Sequence, residues 1–125
     1  MSLVILSMIY ECEGSKDRSG IRFTNSDPDV IKLFLKTLRS VFLIQEHRLK
    51  VRVHIHDYQD DTEIKRFWSD MTEIPLSQFY SSFQKPSNHI YKKEGYKGCV
   101  NIAYYDSYLG NVLRLFAKKL IKLYI

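Results

Sequence analysis

Apolar and basic positions alternate without a break along residues 48–56: Leu49, Val51, Val53 and Ile55 against Arg48, Lys50, Arg52, His54 and His56. Successive side chains of an extended chain point to opposite faces, so this stretch predicts a strand with one aliphatic and one wholly basic or imidazole face. A solvent-facing strand ordinarily mixes acids with bases. The absence of any acid here concentrates positive charge on one surface and marks it as a candidate nucleic-acid surface. Upstream, Ile21-Arg22-Phe23-Thr24 alternates in the same way, and a short hairpin is expected around Ser19-Gly20. Asn25-Ser26-Asp27-Pro28 then supplies a helix start with proline at the first helical position. Val30, Ile31, Phe34, Leu35, Leu38, Val41 and Phe42 follow at helical spacing, with Lys32, Lys36 and Arg39 on a solvated face.

Downstream, Asp60-Asp61-Thr62 offers N-cap residues for a helix whose apolar stripe is Ile64, Phe67, Trp68 and Met71. Pro75 restarts the chain. The spacing of Leu76, Phe79, Tyr80 and Phe83 predicts a further short helix, broken by Pro86-Ser87-Asn88. A second hairpin is expected from residues 90–93 and 98–105, its loop carrying Gly95. Asp106 or Ser107 caps a last helix with Leu109, Val112, Leu113, Phe116 and Leu120 inward. Arg114, Lys118, Lys119 and Lys122 gather toward its C-terminus, where the dipole favours cations.

The opening run is of another kind. From Leu3 to Tyr10 only Ser7 is clearly polar. A helix this apolar on nearly every face is expected to be buried on more than one side. Glu11 and Glu13 then sit at its C-terminal tip, where the dipole is negative, and Gly14 is an ordinary helix stop. Acids at that position ask for a cation. The plainer alternative is a buried element leaving the core through a polar turn.

Composition bounds the answer. A chain of 125 residues, 45% hydrophobic and 26% charged, suffices for one globular domain over residues 1–125. Net charge is +5 and the pI about 9.2, favouring a polyanionic partner if the charge is clustered. Cys12 and Cys99 make no disulfide framework. No apolar run reaches the roughly 18 residues a membrane span needs, and no Lys or Arg precedes the apolar start. No membrane partner and a cytoplasmic or nucleoid-associated location are expected. The element order predicts an α+β layer fold, a curved antiparallel or mixed sheet with helices on one face and the opposite, basic face open.

The spacing of the opening run resembles the LAGLIDADG motif of homing endonucleases. Leu6 falls on its first leucine, Ile9 and Tyr10 on the leucine–isoleucine pair, and Glu11-Cys12-Glu13-Gly14 on the acid–small–acid–glycine end. The likeness continues through Gly14-Ser15-Lys16-Asp17, Thr24-Asn25-Ser26-Asp27-Pro28, Phe67-Trp68-Ser69 and Ile74-Pro75, and so covers almost the whole chain. These stretches are similar to the compact single-motif branch of the family.

That resemblance implies an αββαββα fold, a saddle of sheet on double-stranded DNA, and sequence-specific Mg2+- or Mn2+-dependent cleavage by a homodimer. It implies metal binding at Glu13 with Gly14, and a basic residue near the scissile phosphate, for which Lys97 is the candidate. Lys16, Arg18, Arg22, Arg48, Lys50, Arg52, His54, His56 and Lys92 would meet DNA. Leu6, Ser7, Ile9 and Tyr10 would form the dimer interface. Glu11 and Glu13 are two apart and share no helix face, so a single chain brings too few acids to the site. Met8 stands where the family usually has glycine, and Tyr10 is bulky for its place. The alternative is therefore the same fold used as a non-cleaving DNA-binding protein, a transcription regulator or an intron splicing factor. Other chemistry has less support. His54 and His56 lack further zinc ligands at the usual spacing, Gly14-Ser15-Lys16 is not a full phosphate loop, and no Gly-x-Ser-x-Gly elbow exists.

Overall fold

The computed structural model describes residues 1–13, 20–86 and 95–125, with Glu13 described in its main chain alone. Its elements are α1 (Ser2–Glu13), β1 (Ile21–Asn25), α2 (Pro28–Val41), β2 (Leu49–His56), α3 (Asp61–Thr72), β3 (Phe83–Lys85), β4 (Cys99–Tyr104) and α4 (Ser107–Leu123). Short 3-10 turns at Glu46–Arg48 and Leu76–Gln78 precede β2 and β3. The four strands form one mixed sheet in the order β1-β4-β2-β3. β4 is antiparallel to both its neighbours, and β3 runs parallel to β2.

Local chemistry accounts for the helix starts. Asp27 accepts a hydrogen bond from the Asp29 amide ahead of Pro28, Asp60 from the Glu63 amide, and Asp106 from the Leu109 amide. Each satisfies an amide that the first turn would leave unpaired. α3 stops at Glu73, which adopts the left-handed conformation (φ 58°).

All four helices feed one core against one face of the sheet. The strands contribute Ile21, Phe23, Leu49, Val51, Val53, Ile55, Val100, Ile102 and Tyr104 to it. Leu6, Ile31, Phe34, Leu35, Leu38, Trp68 and Leu113 come from the helices, each at most 1% exposed. Burying such a side chain contributes about 1.5–3 kcal/mol. Phe34 of α2 stacks on Phe23 of β1, ring centroids 4.3 Å apart. Buried hydroxyls are largely satisfied within their own helices: Thr37 donates to the Leu33 and Phe34 carbonyls, and Thr72 to that of Trp68.

One expectation is corrected and another is made more exact. The run Leu76–Phe83 is not a helix. After its 3-10 turn the chain extends, Phe79 bridges Val51 in parallel, and the Tyr80 amide donates to the Val51 carbonyl at 2.8 Å. Main-chain pairing to the edge of β2 wins over the helical spacing of the side chains. Second, α1 is buried on more than one side, as expected, but keeps one exposed stripe. It packs on α2, α4 and β1 through Leu3, Leu6, Ser7 and Tyr10, while Met1, Val4, Met8 and Cys12 are exposed. The bulk of Tyr10 is absorbed inside the chain: its hydroxyl donates to the Gly20 carbonyl at 3.2 Å and accepts from the Arg22 amide. Of the two expected hairpins, only β1 and β4 lie among the described residues.

The placement of α1 makes a direct prediction. Leu6→Ala should lower unfolding free energy by about 2–5 kcal/mol, whereas Met8→Ala on the dilute protein should change it by about 0.5 kcal/mol or less. Urea titration of both variants measures this, and equal losses would place Met8 in the core instead.

Candidate nucleic-acid interface

The strand register decides what the outer face of the sheet carries. Across it, Arg22 pairs with Ala103 and Ala103 with Lys50; Thr24 pairs with Asn101 and Asn101 with Arg52. Further along, Cys99 pairs with His54, His54 with Phe83, and His56 with Lys85. None of these outward positions on the four described strands is an acid. The permanent cations are Arg22, Lys50, Arg52 and Lys85. Strands lie about 4.8 Å apart, so Arg22 and Lys50, with small Ala103 between them, are separated by about 10 Å. Like charges at this range repel, which a polyanion relieves and salt screens.

Aromatic rings pack against two of the outward side chains, Arg52 and His54. The Arg52 guanidinium lies 5.1 Å from the Tyr80 ring centroid, and the His54 and Phe83 rings are 5.5 Å apart. Asn101 donates its side-chain amide to the Thr24 hydroxyl at 2.6 Å. Arg22, Thr24, Arg52, His54, Tyr80, Asn101 and Tyr105 together line a depression of about 300 Å³ on this face.

Burial first, then Lys85 and Arg52, holds the His54 imidazole below its ordinary value of 6.5. The Cys99 thiol is pushed up by burial, partly opposed by Lys85. At the far end of β2, His56 stacks on Tyr58 at 5.6 Å and packs against Tyr96. The described residues offer its buried Nδ1 no hydrogen-bond partner.

Not every expected site residue joins this face. Arg22, Lys50, Arg52 and His54 come together, with His56 on the same side. Arg48 leaves the strand: it ends the 3-10 turn, donates to the Tyr105 carbonyl at 2.6 Å, and lies over the Tyr104 ring. Lys97 is displaced further. Its carbonyl accepts from the Trp68 indole at 2.7 Å and its ammonium sits 5.5 Å from the Phe67 ring, so α3 holds it. α1 points its C-terminus toward Gly20, beside Tyr104 at the other end of β4. At about 3.4 Å per residue the two ends of that segment are roughly 20 Å apart, so Lys97 and the α1 tip do not meet within one chain. Lys16, Arg18, Lys92, Gly14 and the Glu13 side chain lie outside the described residues.

The expected dimer surface changes as well. Leu6, Ser7 and Tyr10 are at most 2% exposed within a single chain, and Ile9 packs against the core. Leu6, Ser7 and Tyr10 are spent on the fold and present no face to a second copy, while Ile9 is half-buried. Among the described residues no three His, Cys, Asp or Glu side chains converge as metal ligands. No helix there is long and apolar enough to cross a membrane.

Sequence reasoning missed Thr24, Asn101, Tyr80, Phe83, Lys85 and Tyr105. The period-two rule that exposed β2 applies equally to Cys99, Asn101 and Ala103, and would have found Asn101. Tyr80 and Phe83 were hidden by their helical spacing. No protein-family model and no curated protein sequence matches this chain.

The electrostatics carry a pH prediction. With the folded midpoint of His54 below 6.5, the unfolded chain takes up its proton first as pH falls. Its contribution to stability is therefore lost as pH drops from about 6.5 toward the folded midpoint, and is constant below that. NMR titration of the His54 ring should give a midpoint below 6.5 that rises when a polyanion is added; a midpoint above 6.5 in the free protein would contradict this environment.

Proposed function

We propose that this chain is a double-stranded DNA-binding domain of the LAGLIDADG homing-endonuclease type, lying on DNA through the open face of its sheet. The observation that carries the reading is that face. It is acid-free along all four described strands, it bears Arg22, Lys50, Arg52 and Lys85, and the helices leave it uncovered. Alternate residues of one strand are about 6.8 Å apart, twice the 3.4 Å step of the duplex, so a strand laid along the major groove addresses bases at every second step. Arg52 and Asn101 are cross-strand neighbours, and these residue types recognise guanine and adenine edges. Lys50, Arg22 and Lys85 meet phosphates and set affinity more than sequence.

Cleavage is the second part of the proposal, and it rests on a second copy. Hard carboxylate oxygens suit Mg2+ or Mn2+, and the ion supplies water activation and charge neutralisation at phosphate. Glu11 and Glu13 are two residues apart and share no helix face, so the second carboxylate of the site is the twin's Glu13 across a homodimer. The surface for that contact is the outer face of α1, with Val4 38% and Met8 36% exposed, and not the inward Leu6, Ser7 and Tyr10. Lys97, held on α3, favours the non-cleaving alternative: a DNA-binding regulator or splicing factor on the same fold.

Two measurements test these parts separately. Combined Lys50→Glu and Arg52→Glu should weaken duplex affinity at least about tenfold and make the salt slope shallower by about one, while Lys118→Glu and Lys119→Glu on α4 leave both unchanged. Equal losses from the two pairs would remove the open face from the reading. In Mg2+, cleavage of a plasmid library should fall at least a hundredfold, about 2.7 kcal/mol of transition-state stabilisation, in Glu13→Gln. Binding without cleavage in the unaltered protein selects the regulator.

A further inference from the structure

The open sheet is not evenly filled. On β4 the outward series runs Cys99, Asn101, Ala103, and Tyr105 follows just past the strand's end, so the smallest side chain of the face lies between an amide and a ring. Beside it Asn101 and Tyr105 line a depression together with Arg22 and Thr24 from β1, Arg52 and His54 from β2, and Tyr80 from the extended segment beside β2. A space of about 300 Å³ is at the small end of ligand sites, enough for one ring system and too small for a duplex.

The lining selects the ligand class. It contains no acid, which disfavours a cation, and no aliphatic side chain, which disfavours a purely apolar guest. Two guanidiniums suit a phosphate. Tyr80 and Tyr105 remain 41% and 42% exposed, offering ring surface that a planar group would cover. Asn101 has given one amide hydrogen to Thr24, which fixes its orientation and leaves its carbonyl oxygen and second hydrogen for a base edge. Phosphate, flat ring and hydrogen-bonding edge occur together in a nucleotide.

We infer that this depression takes a single unstacked nucleotide, with its base on Tyr80 and Tyr105 and its phosphate on Arg22 and Arg52. The inference deepens the reading of the open face as a nucleic-acid surface and rests on it. A paired base inside a duplex cannot enter. The same chemistry is offered by a base bulged out of a DNA helix and by a free deoxynucleoside monophosphate, and these two sources are separable.

The experiment compares, at one salt concentration, a fully paired duplex, the same duplex carrying one bulged 2-aminopurine, and free deoxyadenosine monophosphate. The bulged duplex should bind about tenfold tighter than the paired one, with a change in 2-aminopurine fluorescence on binding. Tyr80→Leu with Tyr105→Leu should erase that preference, weakening the bulged duplex about tenfold more than the paired one, while Tyr80→Phe with Tyr105→Phe should retain it. Binding of the free nucleotide that is lost with the leucine pair supports the site with the free nucleotide as ligand. Equal affinity for both duplexes, with no binding of the free nucleotide, overturns the inference and leaves the open-face reading standing. Failure to bind any of the three overturns both.

Discussion

The position of β4 between β1 and β2 is the constraint on which the other features depend. Its two registers put Val100, Ile102 and Tyr104 under the helices together with Ile21, Phe23, Leu49, Val51 and Val53. The same two registers align Asn101 with Thr24 and Arg52, and Ala103 with Arg22 and Lys50. A slip of one residue would carry Asn101 into the core and Ile102 into water, losing the packing and the basic face together. Gly98 secures the start of the strand: its φ is +79°, and a Cβ there would approach the His54 carbonyl to 2.7 Å. Core and candidate site are two sides of one pairing.

That coupling explains which parts were legible beforehand. β2 could be read from its alternation alone, because aliphatic and basic residues fall on opposite faces with no exception from Leu49 to His56. α2, α3 and α4 were legible from capping aspartates and apolar spacing, and those aspartates do cap them. β3 was not legible. Leu76, Phe79, Tyr80 and Phe83 satisfy helical spacing, and only the free edge of β2 draws the chain into an extended path. Sequence spacing carries no information about such a partner.

α1 shows the opposite difficulty. Its apolar composition called for burial on more than one side, which α2, α4 and β1 supply, but did not show which stripe stays exposed. Leu6, Ser7 and Tyr10 face inward, with the Ser7 hydroxyl fully enclosed and without a hydrogen-bond partner among the described residues. Val4 and Met8 remain at the surface. A motif can name the residues of a helix without saying which face its own chain consumes. Lys97 and Arg48 failed for a related reason: sequence position suggested proximity, whereas Trp68 and Phe67 hold one and Tyr104 and Tyr105 hold the other. Among the described residues the open face thus lacks Arg48 and Lys97 but adds Asn101, Tyr80 and Lys85.

The most direct test is NMR shift mapping of the isotope-labelled protein against a DNA duplex. The proposed surface predicts that amide and side-chain signals of Lys50, Arg52, His54, Asn101 and Arg22 move together on titration, while those of α2 and α3 stay fixed. Shifts concentrated on the helical layer, with the strand signals unmoved, would contradict it.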